Sequence, residues 1–112
     1  MTSTPDVIAE YFRAAAVGDT DAVVATFTPD ATVVDDGHRH AGHSQIRAWR
    51  DQTSAQFSYT TTVLDSTPNG VEHHVTAQVA GDFPGSPVRL GFGFTLAGER
   101  IAALTIAPTG SP

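Results

Sequence analysis

The stretch Val71-Glu72-His73-His74-Val75-Thr76-Ala77-Gln78-Val79-Ala80 decides the fold class. Val71, His73, Val75, Ala77 and Val79 fall on one face, and Glu72, His74, Thr76 and Gln78 on the other. That period of two marks a half-buried strand. Val88, Leu90, Phe92, Phe94 and Leu96 repeat it against Arg89, Gly91, Gly93 and Thr95. The Pro- and Gly-rich segment 81–87 separates the two as a loop, and Ala97-Gly98-Glu99 turns into a last strand, Arg100 to Ala107. Upstream, Tyr59 to Asp65 is rich in Thr and Val and leads into the turn signal Pro68-Asn69-Gly70. The second half is thus an antiparallel meander.

The first half has helical spacing instead. Thr4-Pro5 opens a helix whose apolar positions are Ile8, Tyr11, Phe12, Ala15 and Ala16, ended by Gly18. Asp19 or Thr20 caps a short second helix with Val23, Val24 and Phe27 as its stripe, stopped by Pro29. Ala31 to Asp35 is a short strand, Asp36-Gly37 a hairpin turn, and His38 to Ala41 its return. After Gly42, His43 or Ser44 caps a third helix carrying Ile46, Trp49 and Phe57. Helices segregated from a mostly antiparallel sheet define an α+β fold, here a cone of three helices on a curved sheet enclosing a pocket.

A chain of 112 residues makes one domain, with 108–112 expected as a disordered tail. Hydrophobic residues at 40% and charged residues at 16% exclude a disordered chain. The net charge of -6 argues against nucleic-acid and membrane-surface roles. With no cysteine, thiolate chemistry, disulfides and zinc–cysteine sites are excluded. All basic residues are Arg, which fits GC-rich, bacterial codon usage. No stretch approaches a membrane span and the start lacks a signal-peptide pattern, so the expected location is the cytoplasm. No phosphate loop and no Gly-x-Ser-x-Gly elbow occurs, and no cofactor is expected.

Asp35 ends the first strand on the face of Val33, so an inward Val33 places a carboxylate in the interior, where it can serve as a general base. Spacing alone favours a solvated Asp-Gly turn, because such turns are common. Tyr11 lies on the inner stripe of the first helix; its hydroxyl is either an oxyanion donor or a core group bonded to backbone. Trp49 is a pocket lid or core. Phe92 and Phe94 line a pocket or fill it, and His73 is a core or rim histidine. His38, His40 and His43 lie close in sequence, but no carboxylate completes a metal-ligand pattern, so no metal is expected. Gly91 and Gly93 on one outer face suggest that a second copy packs there, making a homodimer.

Three runs carry a family resemblance: Tyr11-Phe-Arg-Ala-Ala-Ala-Val-Gly-Asp19, Phe27-Thr-Pro-Asp-Ala-Thr-Val-Val-Asp35 and Gly42-His-Ser-Gln-Ile-Arg-Ala-Trp49. Over residues 5–107 the chain resembles the nuclear-transport-factor-2-like superfamily, and within it small ketosteroid isomerases and SnoaL-like polyketide cyclases. The resemblance implies Asp35 as base and Tyr11 as oxyanion donor on a steroid-like or polyketide-like carbonyl compound. Trp49, His73, Phe92 and Phe94 are then substrate-binding residues. The family's second donor, a protonated aspartate, falls at Phe92, which cannot donate. The turn after Asp35 is also shorter than in the isomerases. A hydrophobic-ligand-binding or dimerisation module without chemistry is the alternative implied by the same fold.

Overall fold

Helix α1 (Asp6–Ala16) carries Asp6 in its first turn and Arg13 in its last, each matching the helix dipole. It buries Ile8, Tyr11 and Ala14, while Ala16 faces solvent. Gly18, at φ +73°, makes the left-handed turn that a side chain would strain. Asp19 then caps α2 (Thr20–Ala25), its carboxylate accepting the Ala22 N–H at 3.1 Å. In this computed structural model residues 5–35, 37–56, 59–70, 72–82 and 85–108 are described.

The second helix is shorter than its apolar stripe suggested. Phe27 belongs to β1 (Phe27–Asp35), and Pro29 lies inside that strand rather than stopping a helix. The reason is local. The β1–β6 ladder shifts register between Phe27 and Thr32, so the missing Pro29 N–H falls where the ladder is already interrupted.

Among the described residues, β2 (His38–Ala41), α3 (Gly42–Gln56), β3 (Tyr59–Asn69), β4 (Glu72–Gly81), β5 (Val88–Ala97) and β6 (Arg100–Pro108) follow. Pro68 and Asn69 sit within β3, paired with His73 and Glu72, so the hairpin loop begins only at Gly70. Pro68 is tolerated because β3 is an edge strand. Pro108 closes β6; the rest of the expected tail, 109–112, lies outside the described residues, as do Asp36, Phe57 and Val71.

The sheet order is β2-β1-β6-β5-β4-β3. Neighbours are antiparallel except β1 and β6, which run parallel. The fold is therefore α+β: three helices packed on a curved, unclosed, mostly antiparallel sheet. Ile8, Val23, Phe27, Val33, Ile46, Val75, Phe94, Ile101 and Leu104 are all under 2% exposed and form the centre of the core.

Register fixes what faces the helices. Asp35 pairs with Ile106, Ile106 with Phe92, and Phe92 with Val75, giving one row across four strands. Val33, Leu104, Phe94 and His73 form the neighbouring row. Directly paired residues share a face, so both rows lie on the concave side.

Candidate functional site

Asp35 sits at the end of its inner row, half-buried, on the face of fully buried Val33. One carboxylate oxygen is already engaged: the Trp49 indole Nε1–H donates to Asp35 Oδ2 at 2.9 Å. Trp49 is thus neither a free lid nor plain core. It is only 5% exposed, yet its one polar atom is aimed at the candidate base.

Several contacts aim α3 so that Trp49 reaches β1. Gly42, at φ +81°, turns the chain out of β2. The Gln45 side chain reaches back to accept the Ala41 N–H at 2.8 Å, satisfying a donor at the helix start where His43 or Ser44 was expected to cap. His43 instead donates its Nε2–H to the Phe27 carbonyl at 3.0 Å, tying α3 to β1. On the outer side, Arg47 pairs with Asp21, and the Thr20 hydroxyl donates to Asp51 at 3.0 Å, both on α2 or at its start. With positions 47 and 51 held outward, Ile46, Trp49 and Arg50 turn inward, at helical spacing.

Arg50 is the residue that sequence reasoning missed. It is 4% exposed, and its guanidinium carbon stands 5.4 Å from the Trp49 ring centroid, within cation–π range. The signal was available: 46, 49 and 50 form one helical stripe, but an arginine is ordinarily assigned to solvent. His40 also meets this tryptophan, its ring centroid 5.9 Å away. His38, exposed, is paired directly with Asp35 across the β1–β2 ladder. Among the described residues, no group of three His, Asp or Glu is arranged to hold a metal ion.

Tyr11 is 3% exposed and surrounded by rings. Its centroid lies 5.1 Å from Phe12, 5.6 Å from Phe94 and 6.0 Å from Phe27, all edge-to-face. Phe12 meets Phe92 at 5.1 Å, and Phe92 stacks on Phe94 at 6.2 Å. Tyr11 therefore stands over the row of Phe94 and Val33, next to the row that ends in Asp35. His73 is buried at 4% exposure, with Nε2 at 2.5 Å from the Ser66 hydroxyl; its expected inward orientation holds, with serine as partner.

Among the described residues, a cleft and a groove lie elsewhere. A cleft of about 710 Å³ opens between α1, α2 and the β5–β6 turn, bordered by Val7, Glu10, Leu96 and Arg100. A groove of about 390 Å³ runs over the outer sheet face at Gly91, Gly93, Thr105 and Ala107. Neither is lined by Asp35 or Tyr11. The larger volume is therefore no guide to the chemistry, and the convergence of Asp35, Trp49 and Arg50 is the stronger marker of a site.

Fold and site together define a small α+β domain of the nuclear-transport-factor-2-like type with a carboxylate on its concave face. Residues 8–104 match the SnoaL-like domain model, and the chain belongs to that family. Among solved structures it is similar to a Sinorhizobium meliloti protein provisionally assigned as a polyketide cyclase. The two are 44% identical over 93% of this chain and 95% of that one, with a TM-score of 0.90. A Catenulispora acidiphila protein with a ketosteroid isomerase-like fold, solved with trimethylamine, is 23% identical over 96% of this chain and 88% of its own, TM-score 0.86. A cystatin-fold protein from Novosphingobium aromaticivorans is 15% identical over 94% and 99%, TM-score 0.80. The last two bear on the fold alone. No match was found among curated proteins. Among the described residues, no helix is long and apolar enough to cross a membrane.

Proposed function

We propose that this domain is an acid–base enzyme of isomerase or cyclase type, acting on a small hydrophobic carbonyl compound, steroid-like or polyketide-like, in a bacterial cytoplasm. The observation that carries this reading is the Trp49 N–H bond to Asp35 Oδ2. It fixes one carboxylate oxygen at the end of β1, and in this reading the other, Oδ1, serves as the proton acceptor.

In the proposed step, Asp35 removes a proton from a carbon next to the substrate carbonyl. The C–H electron pair becomes the enolate π bond, and the carbonyl oxygen takes the negative charge. The Tyr11 hydroxyl donates to that oxygen. Isomerisation finishes when Asp35 returns the proton to a different carbon. Cyclisation finishes when the enolate carbon attacks a second carbonyl and the new alkoxide takes the proton. Phe92 leaves one donor where the isomerases have two, a deficit on the order of 100-fold in rate. That deficit favours a polyketide-like over a steroid substrate, in keeping with the Sinorhizobium relative's provisional assignment. In this reading Phe92, Trp49 and His73 are the wall against which the substrate packs, with Phe94 stacked behind Phe92.

One observation favours a second reading, a hydrophobic-ligand carrier without turnover: Tyr11 is packed on three sides by phenylalanines. A homodimer through the outer sheet face fits either reading, since the groove at Gly91 and Gly93 offers a close seat for a second sheet.

The test is turnover of polyketide-like and steroid-like enones by wild type and Asp35→Asn. The expected result is a loss of about 100-fold or more with an unchanged fold. Full activity in Asp35→Asn overturns the mechanism. Binding without product in the wild type establishes the carrier.

A further inference from the structure

We infer that Arg50 is a positioning residue that acts on Asp35 through Trp49; the inference rests on the general-base reading above. A carboxylate works as a base only if its free oxygen is aimed at the substrate carbon, and misplacement by about 1 Å can cost on the order of 100-fold. Here an indole N–H holds one carboxylate oxygen and so sets that aim. An indole can pivot about its two side-chain torsions, so something must hold its plane. Packing alone is one candidate. A guanidinium 5.4 Å from the ring centroid is a second and more specific one, because the attraction depends on the cation lying over the π face.

Burial makes this contact count. Arg50 at 4% and Trp49 at 5% exposure are both shielded from water, which raises the strength of a cation–π contact above its value at an exposed site. The geometry also follows from the sequence. Consecutive residues 49 and 50 both belong to the inward stripe that begins at Ile46, and the α2 contacts of Arg47, Asp21, Thr20 and Asp51 fix the rotation of that stripe. The chain Arg50–Trp49–Asp35 therefore runs from the buried face of α3 to the half-buried carboxylate at the end of β1. A lysine at 50 would supply charge but no planar face, so the site should discriminate between the two cations.

Trp49 is the only tryptophan in the sequence, and its indole N–H gives one NMR resonance that reports the bond directly. In the ¹⁵N-labelled protein, Asp35→Asn should shift that resonance. Arg50→Met should shift it as well and speed its exchange with solvent about tenfold. Arg50→Lys should speed exchange about threefold. In turnover, Arg50→Met should lower kcat about tenfold with KM little changed, since the residue does not touch substrate. An indole resonance and exchange rate unaltered in Arg50→Met overturn the inference. Should that variant fail to fold, exchange in Arg50→Lys equal to wild type overturns it equally. The two readings fail separately. Undiminished turnover in Asp35→Asn removes the general base yet leaves the indole result standing, whereas an unmoved indole removes only Arg50.

Discussion

The two ends of the concave face differ in kind. From Phe27 at the start of β1 to the row of Val33 and Phe94, the rings of Tyr11, Phe12, Phe27 and Phe94 interlock edge-to-face, and the rings explain themselves. Each removes a large apolar area from water, at roughly 25 cal/mol per Å². Toward the end of β1, a half-buried carboxylate accepts from a buried indole N–H whose ring is covered by a buried guanidinium. Burying such groups costs free energy unless each is well partnered, and replacing them by hydrophobic residues is often neutral or stabilising. Stability accounts for the first region and not for the second. Phe92 stands at the border, touching Phe12 on one side and sharing the register row of Asp35 on the other.

The largest expected effect breaks the apolar end. Phe94→Ala removes a fully buried ring that contacts Tyr11, Phe12 and Phe92, and should cost about 3–5 kcal/mol. Domains are stable by only about 5–15 kcal/mol, so urea unfolding should show a large fraction of the total lost. A cost below about 1 kcal/mol would mean the rings are not the keystone of that end.

Trp49→Phe tests the polar end more gently. It keeps a ring in the space and removes the N–H from Asp35. A hydrogen bond to a charged group contributes about 1.5–3 kcal/mol, and half-exposed Asp35 belongs at the lower limit, about 1.5 kcal/mol. Turnover should fall about tenfold, through misaimed carboxylate rather than lost chemistry. The sharper experiment is the double-mutant cycle with Asp35→Asn, read by denaturant unfolding. Coupling of at least about 0.5 kcal/mol is expected for groups in direct contact. Additive effects would detach the indole from the carboxylate.

The same contrast explains what the sequence made legible. Alternation along β4 and β5 exposed the inner face because apolar burial is a local, periodic demand. His73, Val75, Ala77 and Val79 are all buried, as their spacing requires. The Asp19 cap and the turn at Gly18 were legible for the same reason, since each satisfies backbone needs within a few residues. The parallel pairing of β1 with β6 was not, because period reports a face and never a partner. Phe27 was assigned to α2 and Pro29 read as its stop, since a proline ordinarily ends a helix, and only the distant β6 ladder reveals the interrupted register that accepts Pro29 inside β1. Asp35's place at the end of β1 was readable from the pattern, while its proposed role was favoured only by the family resemblance. The Trp49 bond spans 14 residues in sequence and two elements in space, beyond any local pattern. Arg50 was hidden by its charge, although its spacing from Ile46 pointed inward.

Tyr11→Phe has the smallest expected effect on stability and decides to which end Tyr11 belongs. The change keeps the ring and its edge contacts with Phe12, Phe27 and Phe94, and removes only the hydroxyl. A single neutral hydrogen bond contributes about 0.5–1.5 kcal/mol net, so unfolding should shift by no more than that. Turnover should respond far more, by about 100-fold, because a donor aimed at a developing oxyanion acts mainly in the transition state. Such a split, small in stability and large in kcat, assigns Tyr11 to the reacting end despite its aromatic surroundings. A stability loss with unchanged turnover assigns it to the packed end. Asp35 would then work without an oxyanion donor from α1, and Phe92, in its own register row, has none to offer either.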